Sequence, residues 1–345
     1  MKYEFGLCGP FDFDEKATGG QSVKTKEFYF ALSEIIGKDK IKILESTGYK
    51  KNPIKFVLQF YNLMKECENV VLFPARNGIK VFAPLCKTIK KITHTKTYYS
   101  VIGGWISNLV DENPKLKESL KDFDCIMVET NVMKSDLEKR GLNNAEKLEN
   151  FKRMHPISET SIKSVSSPVK ICFFSRVTKE KGIEDAVEAV KAINTDCIKC
   201  IFDIYGPVAD GYDSEFERLR STFTPEIRYM GKIAPEDSVN TLREYDLHIF
   251  PTRYKTEGIP GSILDSYFAG VPVVFAKWNS YSDIMKDGIT GRGYSMENVH
   301  ELCGVLNELV QDEQTIMRMK KNCLQEVVNY LPDTVIRKFL RIVRG

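Results

Sequence analysis

The chain has 345 residues, of which 42% are hydrophobic and 28% charged, and its formal net charge is +3. This composition is typical of a folded protein of about two domains, and the modest charge argues against a nucleic-acid partner. No window approaches the roughly 18 consecutive apolar residues of a membrane span, and the first residues, MKYEFGLCGPFDFDE, lack the pattern of a signal peptide. We therefore expect a cytoplasmic protein.

Short apolar segments alternate with amphipathic ones through the first half of the chain. The strands predicted there are 3–8, 41–44, 69–73, 97–102 and 124–128, and the predicted helices are 21–36, 53–67, 77–91, 113–121 and 131–140. The Asn-Pro pairs at 52–53 and 113–114 indicate helix starts, because asparagine caps a helix and proline suits its first position. This alternation predicts a parallel sheet with helices on both faces.

The pattern stops at 156–168, where five serines and two prolines predict an interdomain linker. A second series then begins. Its predicted strands are 169–174, 199–205, 226–230, 246–250 and 271–275, and its predicted helices are 180–193, 213–222, 235–245, 261–269, 280–287, 297–329 and 333–343. We therefore predict an α/β protein with an N-terminal domain at 1–160, a second domain at 161–329, and a terminal helix at 330–345.

Charge is distributed unevenly between these halves. Residues 1–165 carry 27 Lys and Arg against 21 Asp and Glu, whereas residues 166–345 carry 23 against 26. Lysines also alternate with apolar residues in the segments 49–66 and 87–100. Two interpretations remain open, namely ordinary solvated helix faces, or a surface for anionic lipid or a phosphate-bearing acceptor.

The nine cysteines are scattered, and several lie inside apolar runs. Such cysteines are typical of small buried hydrophobic residues in a reducing compartment. Cys197 and Cys200 form a C-x-x-C pair, but no second pair follows it, so we expect neither a zinc site nor a redox site.

Four segments that follow predicted strands could bind a ligand, because ligands of doubly wound sheets lie beyond the carboxyl ends of the strands. The paired glycines Gly19 and Gly20 would let backbone amides approach a ligand. Arg176 and Lys181 flank a turn into a helix, where two cations suit a diphosphate. Glu257 precedes a glycine-rich turn, and carboxylates accept hydrogen bonds from sugar hydroxyls. The remaining candidates are Asp265, two helical turns further on, and the strand end with Gly231 and Ile233, whose backbone could contact a base.

These segments resemble a known family. The series FSRVTKEKG (174–182), YMGKIAPE (229–236), DLHIFPT (246–252), EGIPGSILD (257–265) and AGVPVV (269–274) is similar to the family 4, group 1, retaining glycosyltransferases. The similarity is strong across 170–295 and loose before it, and it points to enzymes of bacterial surface or capsular polysaccharide synthesis. It implies the GT-B fold, in which two doubly wound Rossmann-like domains face a central cleft. The first domain would then bind the acceptor and the second the nucleotide-sugar donor, and the terminal helix 330–345 would pack back on the first domain.

The resemblance also implies roles for individual positions. Arg176 and Lys181 match the cations that bind the donor diphosphate, Glu257 matches the acid beside the donor sugar, and Asp265 matches the acid that binds ribose. The turn that touches the donor corresponds to Gly258, Ile259 and Gly261, and the loop that closes over the phosphates to Gly19 and Gly20. The family's second acid is glutamate, so Asp265 has a shorter reach.

Two further points concern the catalytic groups. Many relatives have a histidine after a strand of the first domain, whereas the matching stretch 98–105 has none, and we do not expect His94 to replace it. The Asp-Phe-Asp triplets at 12–14 and 122–124 could suggest a metal. The resemblance implies fixed cations instead, so we expect no metal and no cofactor.

The predicted function is the transfer of a sugar, with retention of configuration, from a nucleoside diphosphate sugar, of which UDP-sugars are the commonest. The acceptor would be a saccharide or lipid-linked glycan, and the enzyme would contact the inner face of the membrane. An epimerase or hydrolase of nucleotide sugars with the same fold is the alternative. A two-domain sugar-binding protein is less consistent with a chain lacking an export signal.

Overall fold

The computed structural model describes residues 2–13 and 20–345. The chain divides into two compact units, the first comprising Met1–Arg153 with Tyr330–Gly345 and the second Met154–Asn329. The division after Arg153 lies ahead of the predicted boundary at 160/161. The terminal helix belongs to the first unit.

The first unit is built on a six-stranded sheet in which every paired strand is parallel. The strand order is β2-β1-β3-β4-β5-β6. The strands are β1 (Tyr3–Gly9), β2 (Ile41–Glu45), β3 (Cys67–Leu72), β4 (Lys96–Ser100), β5 (Cys125–Val128) and β6 (Ala145–Lys147). The helices are α1 (Gly20–Ile36), α2 (Pro53–Glu66), α3 (Arg76–Thr93), α4 (Ile106–Glu112), α5 (Pro114–Leu120), α6 (Asn131–Lys139) and, at the end of the chain, α13 (Pro332–Arg344).

The predicted Asn-Pro helix starts are confirmed. The Asn52 side chain accepts a hydrogen bond from the Lys55 amide, and the Asn113 side chain accepts one from the Leu116 amide. The prediction missed α4 and the three-residue strand β6, since short segments carry too few apolar positions to show a period.

The terminal helix α13 buries one apolar face in the first unit. Val335, Ile336 and Phe339 lie in a buried cluster with Phe28 of α1 and Phe5 of β1. Periodic apolar positions on an otherwise charged helix therefore explain how the end of the chain returns to the first unit.

The second unit also has a six-stranded parallel sheet, in the order β12-β11-β10-β7-β8-β9. The strands are β7 (Val169–Phe174), β8 (Cys200–Tyr205), β9 (Ile227–Gly231), β10 (Leu247–Phe250), β11 (Val273–Ala276) and β12 (Gly291–Tyr294). The helices are α7 (Ile183–Ile193), α8 (Asp213–Arg220), α9 (Ser238–Leu242), α10 (Gly261–Phe268), α11 (Val299–Leu309) and α12 (Glu313–Glu326). Two doubly wound α/β units confirm the predicted fold class.

Two helix predictions in this unit are wrong. Residues 280–287 form only a short 3-10 turn at Tyr281–Asp283, and strand β12 follows it. The predicted helix 297–329 is broken into α11 and α12, because Asp312 caps the start of α12 by accepting a hydrogen bond from the Thr315 amide.

The serine-rich segment 156–168 is packed onto the second unit and does not link two domains as a free segment. The Ile157 amide donates to the Phe268 carbonyl. The Ser166 amide donates to the carboxylate of Asp246, which also forms a buried ion pair with Lys320 of α12 at 2.8 Å. Since buried charges are stable only when paired, this contact fixes the segment at the start of β10.

Candidate functional site

The candidate site lies on two loops of the second unit. Strands β7 and β10 are neighbours and parallel, so the loops that follow them, 175–182 and 251–260, leave the same edge of the sheet. Such an edge is the usual binding region of a doubly wound sheet.

A close approach of backbone to backbone joins the two loops. Gly182 has φ 72°, and a Cβ atom at this position would overlap the carbonyl oxygen of Pro251 and lie 2.8 Å from its carbonyl carbon. The Arg253 amide also donates to the Glu180 carbonyl at 2.8 Å. Glycine is therefore required at position 182 for both its conformation and its lack of a side chain.

The structure brings Lys181 and Glu257 into direct contact. The Lys181 ammonium donates to Oε1 of Glu257, and the Thr252 hydroxyl donates to the same oxygen at 2.8 Å. The two charged side chains are 19% and 15% exposed. The carboxylate is thus fixed in orientation next to a cation, with part of both groups open to solvent.

Two aromatic rings enclose the same ammonium group. The Lys181 Nζ atom lies 5.3 Å from the centroid of Phe250 and 5.1 Å from that of Tyr254. Both distances suit cation–π attraction. Tyr254 is 44% exposed, and its amide donates to the Thr252 hydroxyl. The sequence prediction missed both rings, although they stand on either side of Pro251-Thr252-Arg253.

Arg176 is exposed and makes no hydrogen bond or ion pair with any other residue in the described part of the chain. Arg176 lies on the loop 175–182, as Lys181 does. Burial and the negative charges of Glu180 and Glu257 raise the pKa of Tyr254, whereas the positive charge of Arg176 lowers it. Arg176 is therefore exposed on the same loop as Lys181, where its guanidinium group can bind an anion.

A third cation, Arg253, was missed by the prediction. Its guanidinium group donates to both carboxylate oxygens of the buried Asp185, at 2.6 and 3.1 Å, and lies 3.6 Å from Glu184. These hydrogen bonds, above all, raise the pKa of Arg253. Because Asp185 is in the first turn of α7, Arg253 braces the loop after β10 against the helix that follows Lys181.

Asp265 lies beyond the loop that carries Glu257. It lies on α10 and is only 3% exposed, and the hydroxyl of Ser238, on α9, donates to its Oδ1 atom at 3.0 Å. The role of Asp265 in binding a ligand stays a prediction, and its carboxylate is buried next to α9.

The predicted turn and strand end flank the site. Gly258 and Ile259 are buried, Gly261 begins α10, and the Ser280 hydroxyl fixes the turn by donating to the Glu257 carbonyl at 2.7 Å. This hydroxyl also accepts a hydrogen bond from the indole of the buried Trp278.

Gly231 at the end of β9 accepts a hydrogen bond from the amide of Gly206. A Cβ atom at 206 would overlap the Ser175 carbonyl oxygen, so this loop lies against the residue before Arg176. Ile233 follows as a half-buried residue.

Of the glycine pair, Gly19 lies outside the described residues. Gly20 is the first residue of α1, and a Cβ atom there would meet nothing within 4 Å. Space alone does not demand glycine at position 20.

The first unit contains a buried ion pair that the prediction missed. Lys24 of α1 contacts Glu129 at 2.6 Å, and its ammonium also lies 3.5 Å from the Val101 carbonyl. Glu129 and Val101 follow β5 and β4, so the pair lies at the carboxyl edge of that sheet. His94 instead caps the end of α3 before β4, exposed and with φ 55°.

Within residues 2–13 and 20–345, no group of three or more His, Cys, Asp and Glu side chains could hold a metal ion. Asp124 of the second Asp-Phe-Asp triplet instead accepts a hydrogen bond from the Thr97 amide. Asp14 of the first triplet lies outside the described residues.

Residues 168–312 match the family of glycosyl transferases group 1, and this range contains every site residue of the second unit. An uncharacterized glycosyltransferase of Methanocaldococcus jannaschii is 25% identical over 267 residues, which are 69% of this chain and 65% of that protein. An uncharacterized 41.2 kDa protein in the cps region of Klebsiella pneumoniae is 21% identical over 66% of this chain and 60% of its own length. The chain thus spans less than two thirds of these relatives.

The whole chain is also similar to a solved structure. HepE of Anabaena, crystallised with UDP, matches with a TM-score of 0.74 over 100% of both chains, at 12% identity. The chain therefore has the GT-B fold, and its segment 168–312 is similar to the group 1 glycosyl transferases.

Proposed function

We propose, from the group 1 glycosyltransferase segment at 168–312, that the chain transfers a sugar from a nucleoside diphosphate sugar to a hydroxyl of a saccharide acceptor. The observation that carries this proposal is the arrangement of Arg176, Lys181 and Glu257 on two loops at one edge of the second sheet. Two cations beside one fixed carboxylate suit a ligand that joins a diphosphate to a polyhydroxyl group. The complex of HepE with UDP-glucose supports a UDP-sugar as the donor.

The proposed chemistry follows from the charges. The bond between the anomeric carbon and the diphosphate oxygen breaks, and the same carbon bonds to the acceptor oxygen. Arg176 and Lys181 stabilise the negative charge that develops on the departing diphosphate. In a front-face reaction that departing oxygen takes the proton of the acceptor hydroxyl, and configuration is retained. Glu257 orients the sugar by accepting a hydrogen bond from one of its hydroxyls.

The roles of Asp265, Gly231, Ile233 and the turn remain part of this proposal. Asp265 would bind ribose through a buried carboxylate that already accepts a hydrogen bond from Ser238. The strand end at Gly231 and the first turn of α10 offer backbone groups for the nucleoside and the diphosphate. No metal or cofactor is needed for the step as written.

A surface on α2 supports a lipid-linked acceptor. Ile54 and Leu58 are 76% and 60% exposed and, with Val57, occupy one face of the helix, beside the exposed Lys51 and Lys55. An apolar face flanked by lysines suits the interface of an anionic membrane. None of the helices described is long and apolar enough to span a bilayer. We propose contact with the inner face of the membrane, in surface or capsular polysaccharide synthesis.

Assays that measure release of the nucleoside diphosphate from the donor test the proposed function. The protein is incubated with UDP-, GDP- and ADP-sugars, with and without a lipid-linked glycan, and release of the nucleoside diphosphate is measured. Transfer predicts release that depends on the acceptor and falls strongly in Arg176→Ala. Free sugar or an epimer formed from donor alone would instead favour the alternative hydrolase or epimerase.

The membrane contact is tested by sedimentation with vesicles of anionic or zwitterionic lipid. Selective binding to anionic vesicles that is lost in Leu58→Ser supports the contact. Equal binding to both vesicle types would reject it.

A further inference from the structure

We propose that Glu257 competes with the diphosphate for Lys181 and thereby promotes release of the product nucleoside diphosphate. This inference rests on the proposed function, and it gives Glu257 a role beyond orienting the donor sugar. It starts from the direct contact between the Lys181 ammonium and Oε1 of Glu257.

The contact forms where charge interactions are strong. Both side chains are less than one fifth exposed, so their attraction is screened less than that of a surface pair. A diphosphate bound by the same ammonium would place further negative charge within a few ångströms of the carboxylate. Like charges at such distances repel, so Glu257 and the diphosphate each weaken the hold of Lys181 on the other.

The surroundings let Lys181 change partners without leaving the site. Its ammonium has three donors on a flexible stem, and the rings of Phe250 and Tyr254 lie 5.3 and 5.1 Å away. Ring faces attract a cation with little regard to where its N–H groups point. Glu257 is held independently, because the Thr252 hydroxyl donates to it and Ser280 fixes its carbonyl.

The competition favours release of the diphosphate after the sugar has been transferred. While the donor sugar is present, its hydroxyl engages Glu257 and leaves Lys181 to the diphosphate. Once the sugar has been transferred, Glu257 loses that partner and again attracts the Lys181 ammonium. The diphosphate is then held less tightly at the moment when it must leave.

The test measures the affinity of the nucleoside diphosphate itself by titration calorimetry with wild type and with Glu257→Gln, using UDP first and then GDP and ADP. The amide keeps the shape of the side chain but removes the competing charge. We expect Glu257→Gln to bind the diphosphate about 10-fold more tightly, the scale of one partly screened charge at short range. Steady-state transfer should be slower, since diphosphate release is slower and the sugar is less well oriented.

Two further variants test whether the effect of Glu257→Gln depends on its contact with Lys181. Glu180→Gln removes an exposed acid near Tyr254 that forms no ion pair with Lys181 within the described residues, and it should change the affinity less than 3-fold. In a Lys181→Met background, Glu257→Gln should tighten binding clearly less than it does with Lys181 present, because only the direct repulsion between the carboxylate and the diphosphate remains. Circular dichroism confirms that each variant is folded.

The outcomes are distinct. Unchanged or weaker binding of the diphosphate by Glu257→Gln, with wild type binding normally, overturns the competition and leaves the proposed function standing. A wild-type protein that binds none of the three diphosphates overturns the proposed function and this inference with it.

Discussion

Replacing Gly182 with alanine tests whether the contact between the two site loops is needed for function. Any alanine with φ near 72° costs roughly 1–2 kcal/mol because its Cβ approaches the following carbonyl. At this position the Cβ would also overlap the Pro251 oxygen and lie 2.8 Å from the Pro251 carbonyl carbon. Ordinary van der Waals contacts of a Cβ atom begin at 3.4 Å. The loop after β10 must therefore retreat by about 1 Å, which moves Glu257 away from Lys181.

A displacement of about 1 Å at reacting groups costs on the order of 100-fold in rate. We therefore expect Gly182→Ala to lower kcat/KM for transfer about 100-fold, measured by steady-state kinetics. Gly211→Ala is the matched control, since Gly211 has φ 82° and nothing within 4 Å of its Cβ position. It should lose stability in urea unfolding but keep its activity. If the two variants have the same activity, the loop contact does not position the site.

Three other substitutions probe the second unit. Burial lowers the pKa of His248 to about 3, so the unfolded chain binds the proton more tightly than the folded one. Wild type should therefore lose about 2 kcal/mol of unfolding free energy between pH 7 and pH 5. His248→Gln should not show this loss. Lys320→Met leaves the buried carboxylate of Asp246 without its cation and should cost about 3 kcal/mol in urea unfolding, partly recovered by adding Asp246→Asn. Tyr254→Leu should weaken diphosphate binding about 3-fold in calorimetry, whereas Tyr254→Phe keeps the ring facing Lys181 and should bind as wild type does.

The parallel sheets were predictable because their strands are apolar runs of similar length. Residues 171–173 and Leu247–Phe250 are buried on both faces, and such runs stand out between polar helical segments. The helix predicted at 280–287 failed because its apolar residues pack around an irregular turn, where Trp278 and Tyr281 contact Phe275.

The site could be predicted in part. Lys181 and Glu257 follow strands that turned out to be neighbours, so the topology alone brings their loops to one edge. The pairing of Arg253 with Asp185 could not be foreseen, because the two residues are 68 positions apart and no local pattern links them. The same holds for Lys24 and Glu129, which are 105 positions apart.

The burial of Asp265 also could not be predicted from the sequence. Helical spacing placed it two turns after the loop, but the direction of its side chain depends on where α9 packs against α10. Ser238 supplies the hydrogen bond that turns the carboxylate toward that helix. Spacing along a helix predicts a face, and only packing shows what covers it.

Calorimetric titration of UDP, GDP and ADP into wild type, Arg176→Ala and Lys181→Met tests whether these two cations hold a diphosphate. We predict saturable binding of at least one nucleotide by wild type, weakened at least 10-fold in each variant while the fold is kept. Binding that is equally tight in all three proteins would contradict it.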